Sequence, residues 1–171
     1  MSKILLVSSN SIHLFIFYDL IKNDFEDILV VTNGNKSTID KTIYVRFSLK
    51  NPLYFIKSII KIRNIINNYK PDIIHCHQIT VVSLVTVIAK KISKLKNVPV
   101  VATAWGSDIL VNSKKNFLYK FLIKTVLNNI DFLTTSSLHI AFKVRSLVKK
   151  SNFNIKIANF GVEFLGQDLN V

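Results

Sequence analysis

The 171-residue chain reads as an α/β domain built on a doubly wound parallel sheet, with helices flanking it. Short aliphatic and β-branched runs alternate with longer segments of helical periodicity, which is the pattern of strands joined by crossover helices. Val98, Val100, Val101 and Ala102, with only Pro99 among them, form the apolar run of a strand covered on both faces, as parallel sheets require. That run then breaks into Thr103, Trp105, Gly106, Ser107 and Asp108, a polar loop at the carboxyl end of a strand, where open α/β sheets bind small molecules. Gly106 permits close backbone approach there. Trp105 as a core aromatic and Asp108 as a helix N-cap are the structural alternatives to a role in that site.

The first strand is the apolar run 3–8, which ends in Ser8, Ser9, Asn10 and Ser11, a helix-capping cluster at the carboxyl edge. His13 stands in the following turn, and Leu14, Phe17, Tyr18 and Ile21 recur at helical spacing. The helix packs by those residues, leaving His13 either a structural histidine or a group facing the crevice. Residues 28–32 form the second strand, closed by Asn33-Gly34-Asn35; residues 33–40 form a loop, and β-branched and aromatic residues mark a third strand at 42–47. Asn51-Pro52 opens a helix with proline at its first position, and Phe55, Ile56, Ile59, Ile62 and Ile66 oppose a polar stripe of Lys57, Lys61, Asn64 and Asn68. Tyr69-Lys70-Pro71 stops it.

A fourth strand at 72–76 carries the motif P-D-I-I-H-C-H-Q off its end. Period-two alternation puts His75 and His77 on one face and Cys76 on the other, with Gln78 in the loop beyond. Two alternate histidines begin a zinc site only if His13 or Asp108 completes it across the crevice, and no second paired motif supplies further ligands. Residues 79–94 read as a helix with Val82, Val85, Ile88, Ala89 and Ile92 inward; the strand at 98 follows, then a basic helix near 114–128 and a strand at 131–135. Ser136-Ser137 caps a helix to residue 150, and residues 154–158 supply a last strand. Right-handed crossovers give the order 3-2-1-4-5, which gathers His13, His75, His77 and residues 105–108 at one crevice.

Composition bounds the function. A chain of this length buries about 70% of its unfolded surface around one core. The single cysteine, Cys76, excludes an internal disulfide and agrees with a reducing compartment. The most apolar stretches fall short of the ~20 residues that span a bilayer, and residues 1–10 lack a cleavable signal pattern, so a cytosolic protein is expected. The net charge is +13, from 23 Lys and Arg against 10 Asp and Glu. Between Lys90 and Lys156 lie 13 basic residues opposed only by Asp108 and Asp131. Nucleic acid, a phospholipid surface or phosphorylated substrates are the anionic partners to weigh. No helix-turn-helix, zinc-finger or RNP pattern organises the basic residues, which argues against nucleic acid. A basic face carrying Phe117, Tyr119 and Phe121 suits anionic headgroups instead, a solvated basic face being the plain alternative.

Four motifs now stand in order: K-P-D-I-I-H-C-H at 70–77, V-P-V-V-A-T-A-W-G-S-D at 98–108, I-D-F-L-T-T-S-S at 130–137 and I-K-I-A-N-F-G-V-E at 155–163. Together they resemble the N-terminal, acceptor-side domain of family 4 glycosyltransferases, one Rossmann-like half of the GT-B architecture. Several members carry a histidine before the loop glycine, against the donor sugar; Trp105 stands there in what resembles a W-G-S-D branch, which shifts that role to His77, or to His13 in its S-x-H turn. A glycine-rich first loop found in many members is replaced by Ser8-Ser9-Asn10-Ser11.

The resemblance implies a domain at 1–163 with an interdomain linker opening at 164–171, and a retaining transferase acting in cell-surface polysaccharide synthesis. It implies catalytic roles for His77 and Asp108, and substrate contacts from Asn10, His13, His75, Gln78, Trp105, Gly106 and Ser107. It implies no cofactor and no metal, a nucleotide-sugar donor gripped by a second domain, a glycan or lipid-linked acceptor, and a peripheral place on the cytoplasmic membrane face. Without the donor half the chain is expected to be inactive. A non-catalytic anchoring or acceptor-binding subunit of a two-chain enzyme, or a truncated fragment, are the alternatives within the same fold. A flavodoxin-like or receiver-like signalling domain fits poorly, because Ser8-Ser9-Asn10 offers neither an acidic cluster for Mg²⁺ nor a phosphate loop for flavin.

Overall fold

Aliphatic runs too short to bury themselves as helices pair here into one seven-stranded sheet. The computed structural model describes residues 2–34, 39–148 and 153–158. The strands are β1 (Lys3–Ser8), β2 (Asp27–Thr32), β3 (Thr42–Tyr44), β4 (Ile73–His77), β5 (Val100–Ala104), β6 (Phe132–Thr135) and β7 (Asn154–Ile157). They run in the order β3-β2-β1-β4-β5-β6-β7, and every pair is parallel. The expected order of the first five strands is thus the observed one, and the direction of winding reverses between β1 and β4.

The helices are α1 (Ile12–Ile21), α2 (Pro52–Tyr69), α3 (Val81–Lys91), α4 (Asn112–Lys115), α5 (Phe117–Leu127) and α6 (Leu138–Arg145). Asn51 starts α2 by accepting the Leu53 and Tyr54 amides at 3.0 and 3.2 Å. Lys70 ends it in the left-handed conformation, φ 52°, with its N–H on the Ile66 carbonyl. Asn116 restarts the chain after α4 by capping α5.

Several sequence expectations shift at their edges. The third strand stops at Tyr44 rather than Phe47. The helix expected at 79–94 is Val81–Lys91. The basic helix begins earlier, as a π-helical turn Ser107–Val111 that runs into α4 before the break at Asn116. The sixth helix ends at Arg145; its expected extension to residue 150, like the 159–163 motif, reaches outside the described residues.

Packing is lopsided. One face of the sheet carries α2, α3, α5 and α6, whose Ile62, Val85, Leu127 and Ile140 share a core with Leu5, Ile74, Cys76, Ala102 and Leu133. On the other face α1 sets Leu14, Phe17 and Ile21 against Ile4, Leu6, Ile28 and Val30, with Phe25 and Ile39 from the neighbouring loops. Strand β5 is buried on both faces, as its apolar run predicts, except at Val101: Val100, Ala102 and Ala104 enter the large core, and Thr103 is closed off on the other side. Val101 is only half-buried, and Phe132, its neighbour in register on β6, is 42% exposed.

Candidate functional site

The carboxyl ends of β1, β4 and β5 adjoin at the reversal point, and the loops leaving them hold the polar residues singled out above. On β4, alternation sends Ile74 and Cys76 into the large core and His75 and His77 toward α1. Phe17, four residues after His13 and hence on the same helical face, meets both rings. It lies edge-on to His75 at 4.6 Å and tilted to His77 at 4.8 Å between centroids.

The two histidines differ in what satisfies them. His75 Nε2 lies 2.8 Å from Thr103 Oγ1, which lies 2.7 Å from Thr134 Oγ1, a polar chain across three strands. Burial, then the neighbouring His77, pushes the His75 imidazole down to about 3. His77 is 1% exposed, yet neither ring nitrogen has a hydrogen-bond partner among the described residues. Burial, then His13, lowers it to about 4, so it is neutral at neutral pH. Over it lies Trp105, edge-on at 4.9 Å, and Trp105 in turn stacks on the exposed His13 at 4.3 Å with planes 26° apart.

The loop that carries Trp105 is held by Asp108. Its Oδ1 accepts the amides of Trp105, Gly106 and Ile109 at 3.1, 2.9 and 3.0 Å, and its Oδ2 accepts that of Ile79 at 2.9 Å. Burial raises the carboxyl, against the pull of these backbone donors. Gly106 turns the chain at φ +102°, and a Cβ there would also press on Ile140 Cδ1 at 3.3 Å. Gln78 is held at φ 134°, costing about 1–3 kcal/mol for a residue with a side chain. Ser9 Oγ donates to Gln78 Oε1 at 2.7 Å, and the Ser83 hydroxyl grips the Gln78 carbonyl. At the outer rim the Asn10 amide donates to Asn33 Oδ1 at 2.9 Å, and a side chain at Gly34 would run into Asn10.

This arrangement sits where ligands bind in doubly wound sheets. A family model described as Glycosyl transferase 4-like matches residues 3–137. The chain belongs to the glycosyl transferase 4-like family. Its fold recurs in UDP-N-acetylglucosamine 2-epimerase from Rickettsia bellii (TM-score 0.69, 14% identity, 91% of this chain and 44% of that one). It recurs in Methanocaldococcus jannaschii UDP-GlcNAc 2-epimerase in complex with UDP-GlcNAc and UDP (TM-score 0.66, 13% identity, 91% and 46%). Acinetobacter baumannii MurG shares it at TM-score 0.56 and 8% identity, over 95% and 47%. These identities speak for fold alone, and the chain spans less than half of each of these structures. No curated protein matches it.

In this glycosyl transferase 4-like domain, His13, His75, His77 and Trp105 form one ring cluster, joined by Phe17, which the sequence reading left out of the site. The i, i+4 spacing of His13 and Phe17 was the available signal. Thr103, expected at this strand end, lies in register with His77, and Thr134, which the sequence does not single out, joins through its register opposite Thr103. Asp108 does not point a free carboxylate into the crevice: its oxygens are engaged by four backbone amides, which is the geometry of a loop clamp. Gly106 is buried and Ser107 exposed in the same loop. Among the described residues, no three His, Cys, Asp or Glu side chains are grouped to hold a metal ion, and no helix is long and apolar enough to cross a membrane.

Proposed function

We propose that this domain is the acceptor-side half of a retaining glycosyltransferase, moving a sugar from a nucleotide sugar to a glycan or lipid-linked acceptor in cell-surface polysaccharide synthesis. The observation that carries the reading is the buried imidazole of His77 at the sheet's carboxyl edge, without a hydrogen-bond partner among the described residues. A neutral imidazole offers one N–H and one lone pair, which matches a sugar hydroxyl that donates and accepts at once. With His13 and Trp105 swung aside, the hydroxyl meets His77 and the indole offers its flat face to the ring of the sugar. His77 then holds the acceptor oxygen while it bonds to the anomeric carbon, the bond from that carbon to the nucleotide diphosphate breaks on the same face, and the hydroxyl proton passes to the imidazole lone pair. Asp108 is a positioning residue, fixing Trp105 through its backbone amide. Asn10, Gln78 and Ser107 line the rim as substrate contacts. A nucleotide sugar as donor class is supported by the UDP-GlcNAc named in the Methanocaldococcus jannaschii complex.

Transfer needs both substrates gripped, since proximity supplies ~7–11 kcal/mol only then. We assign the donor to a second domain, as the half-length match to GT-B-type structures suggests. The test is a transfer assay over a panel of nucleotide sugars, with this domain alone and with its donor-binding half in one chain or two. The domain alone is expected to be silent and the pair active. His77→Ala should then lower turnover about a hundredfold, the lower end of what a positioned proton-handling group contributes. Cys76→Ala, on the opposite face of β4, should cost far less. Transfer by the isolated domain, or equal losses from the two substitutions, would overturn the assignment.

A further inference from the structure

We infer that the groove between α2 and the edge strand β3 is a subsite for an acidic saccharide chain; that this chain is the acceptor rests on the transfer proposed above. Helical spacing sets Lys57, Lys61, Asn64 and Asn68 along one side of α2, over about 16 Å of its length. Two hollows open beside that stripe. One of about 190 Å³ lies against Tyr44, Arg46 and Tyr54. The other, of about 410 Å³, has Leu29, Ile43 and Ile65 at its base and Asn64 and Asn68 on its wall. Lys57 and Lys61 line both, so the two adjoin as one groove.

Charge decides the class of ligand. Residues 41–71 contain no Asp or Glu at all. Arg46 lays its guanidinium 4.2 Å over the Tyr54 ring, and Lys61 Nζ donates to the Tyr44 carbonyl at 2.7 Å. Both cations are braced by neutral groups, and among the described residues no carboxylate pairs with Arg46, Lys57 or Lys61. Cations held in place beforehand lose little freedom when an anion binds. Asn64 and Asn68 continue the groove with exposed amides, which donate and accept as sugar hydroxyls require. An acidic peptide cannot add itself as a strand, because Lys61 occupies the Tyr44 carbonyl on the edge of β3 away from β2. A polynucleotide finds few stacking faces, since Arg46 covers Tyr54 and Lys3 lies 5.7 Å over Tyr69. The Arg46 end of the groove lies at the carboxyl edge of the sheet, which also carries His77, three strand spacings or about 14 Å away. A chain of several sugars spans that distance.

The test is calorimetric titration of the full chain with trigalacturonate, maltotriose and inorganic phosphate. Trigalacturonate is expected to bind, less tightly as salt rises, whereas maltotriose should not bind and phosphate should bind roughly tenfold more weakly or worse. Arg46→Gln, and Lys57→Gln with Lys61→Gln, should each weaken trigalacturonate by roughly tenfold or more. Asn64→Ala with Asn68→Ala should remove its advantage over phosphate. Lys120→Gln with Lys124→Gln, the same charge change on α5, should leave most of the affinity in place. Thermal melts identify variants that do not fold, and Arg46→Lys, which keeps the charge, should retain more affinity than Arg46→Gln. No binding of trigalacturonate, equal binding of maltotriose, equal loss from the α5 change, or affinity untouched by the groove substitutions would overturn the subsite. So would binding of oligo(dT) or phosphatidylglycerol vesicles in place of trigalacturonate, lost with these same substitutions. If trigalacturonate binds as expected but no nucleotide sugar supports transfer, the transfer reading fails and the subsite stands; transfer to neutral acceptors without trigalacturonate binding has the opposite result.

Discussion

His77 buries two ring nitrogens that no described residue pairs, beside a His75 whose Nε2 is paired, and both rings resist protonation in the fold. Their values fall from 6.5 to about 4 and about 3, so below pH 6.5 the unfolded chain takes up protons that the folded one refuses. Their contribution is intact above pH 6.5 and is lost as pH falls through the window from 6.5 to about 4 and then 3. The slope is at most about 1.4 kcal/mol per pH unit for each ring. His77→Phe keeps an aromatic ring and removes one titration, so urea midpoints measured from pH 7 down to pH 4 should fall less steeply than for the parent; an unchanged slope would show that His77 is not held neutral. The sequence told that these two histidines share a face, because a strand alternates with period two. It did not tell which is satisfied, since that depends on Thr103 and Thr134 one and two strands away. Asp108 was legible as a polar residue at a strand end but not as a clamp. Its partners include the amide of Ile79, which only the pairing of β4 with β5 brings within reach.

Elements were legible where their ends are written in local chemistry. Helix α2 is the clearest: Asn51-Pro52 starts it and Lys70-Pro71 stops it, each through a backbone device. Asn51→Ala should lose about 1 kcal/mol through the orphaned Leu53 and Tyr54 amides. Lys70→Gly should gain up to about 1 kcal/mol by easing the left-handed residue. In thermal melts these are opposite shifts of about 2–4 °C for a domain of this size; a loss from Lys70→Gly would mean that the lysine side chain, not the backbone, ends the helix. The region after β5 was legible only in part. Gly106 and Asp108 announce a turn, but a π-helical turn followed by a break at Asn116 has no local signature, because the clamp on Asp108 and the cap from Asn116 share the job of setting it.

At the scale of the molecule, alternation of strand and helix was enough for a parallel sheet and the order of its first five strands, since crossover handedness leaves few other arrangements. How the sheet is covered was not. The apolar run around Val100 foretold burial, which β5 meets at every residue but Val101, but not that the described helices other than α1 gather on one face, since only packing distributes helices between faces. The basic excess and the stretch that carries it were legible in the sequence; that Phe117 and Phe121 turn outward there was not. One consequence remains in Cys76, wholly buried at the centre of the sheet with its thiol pushed up to about 12. It is the chain's sole cysteine, so a thiol-reactive dye has a single target and can reach it only when the middle of the sheet parts. Labelling should run at least about a thousandfold slower than on a free thiol and accelerate with urea in step with unfolding. Reaction at the free-thiol rate in water would mean that the two faces of β4 separate readily. The protein thus carries a built-in stopwatch for its own opening, read by colour, with no probe to engineer.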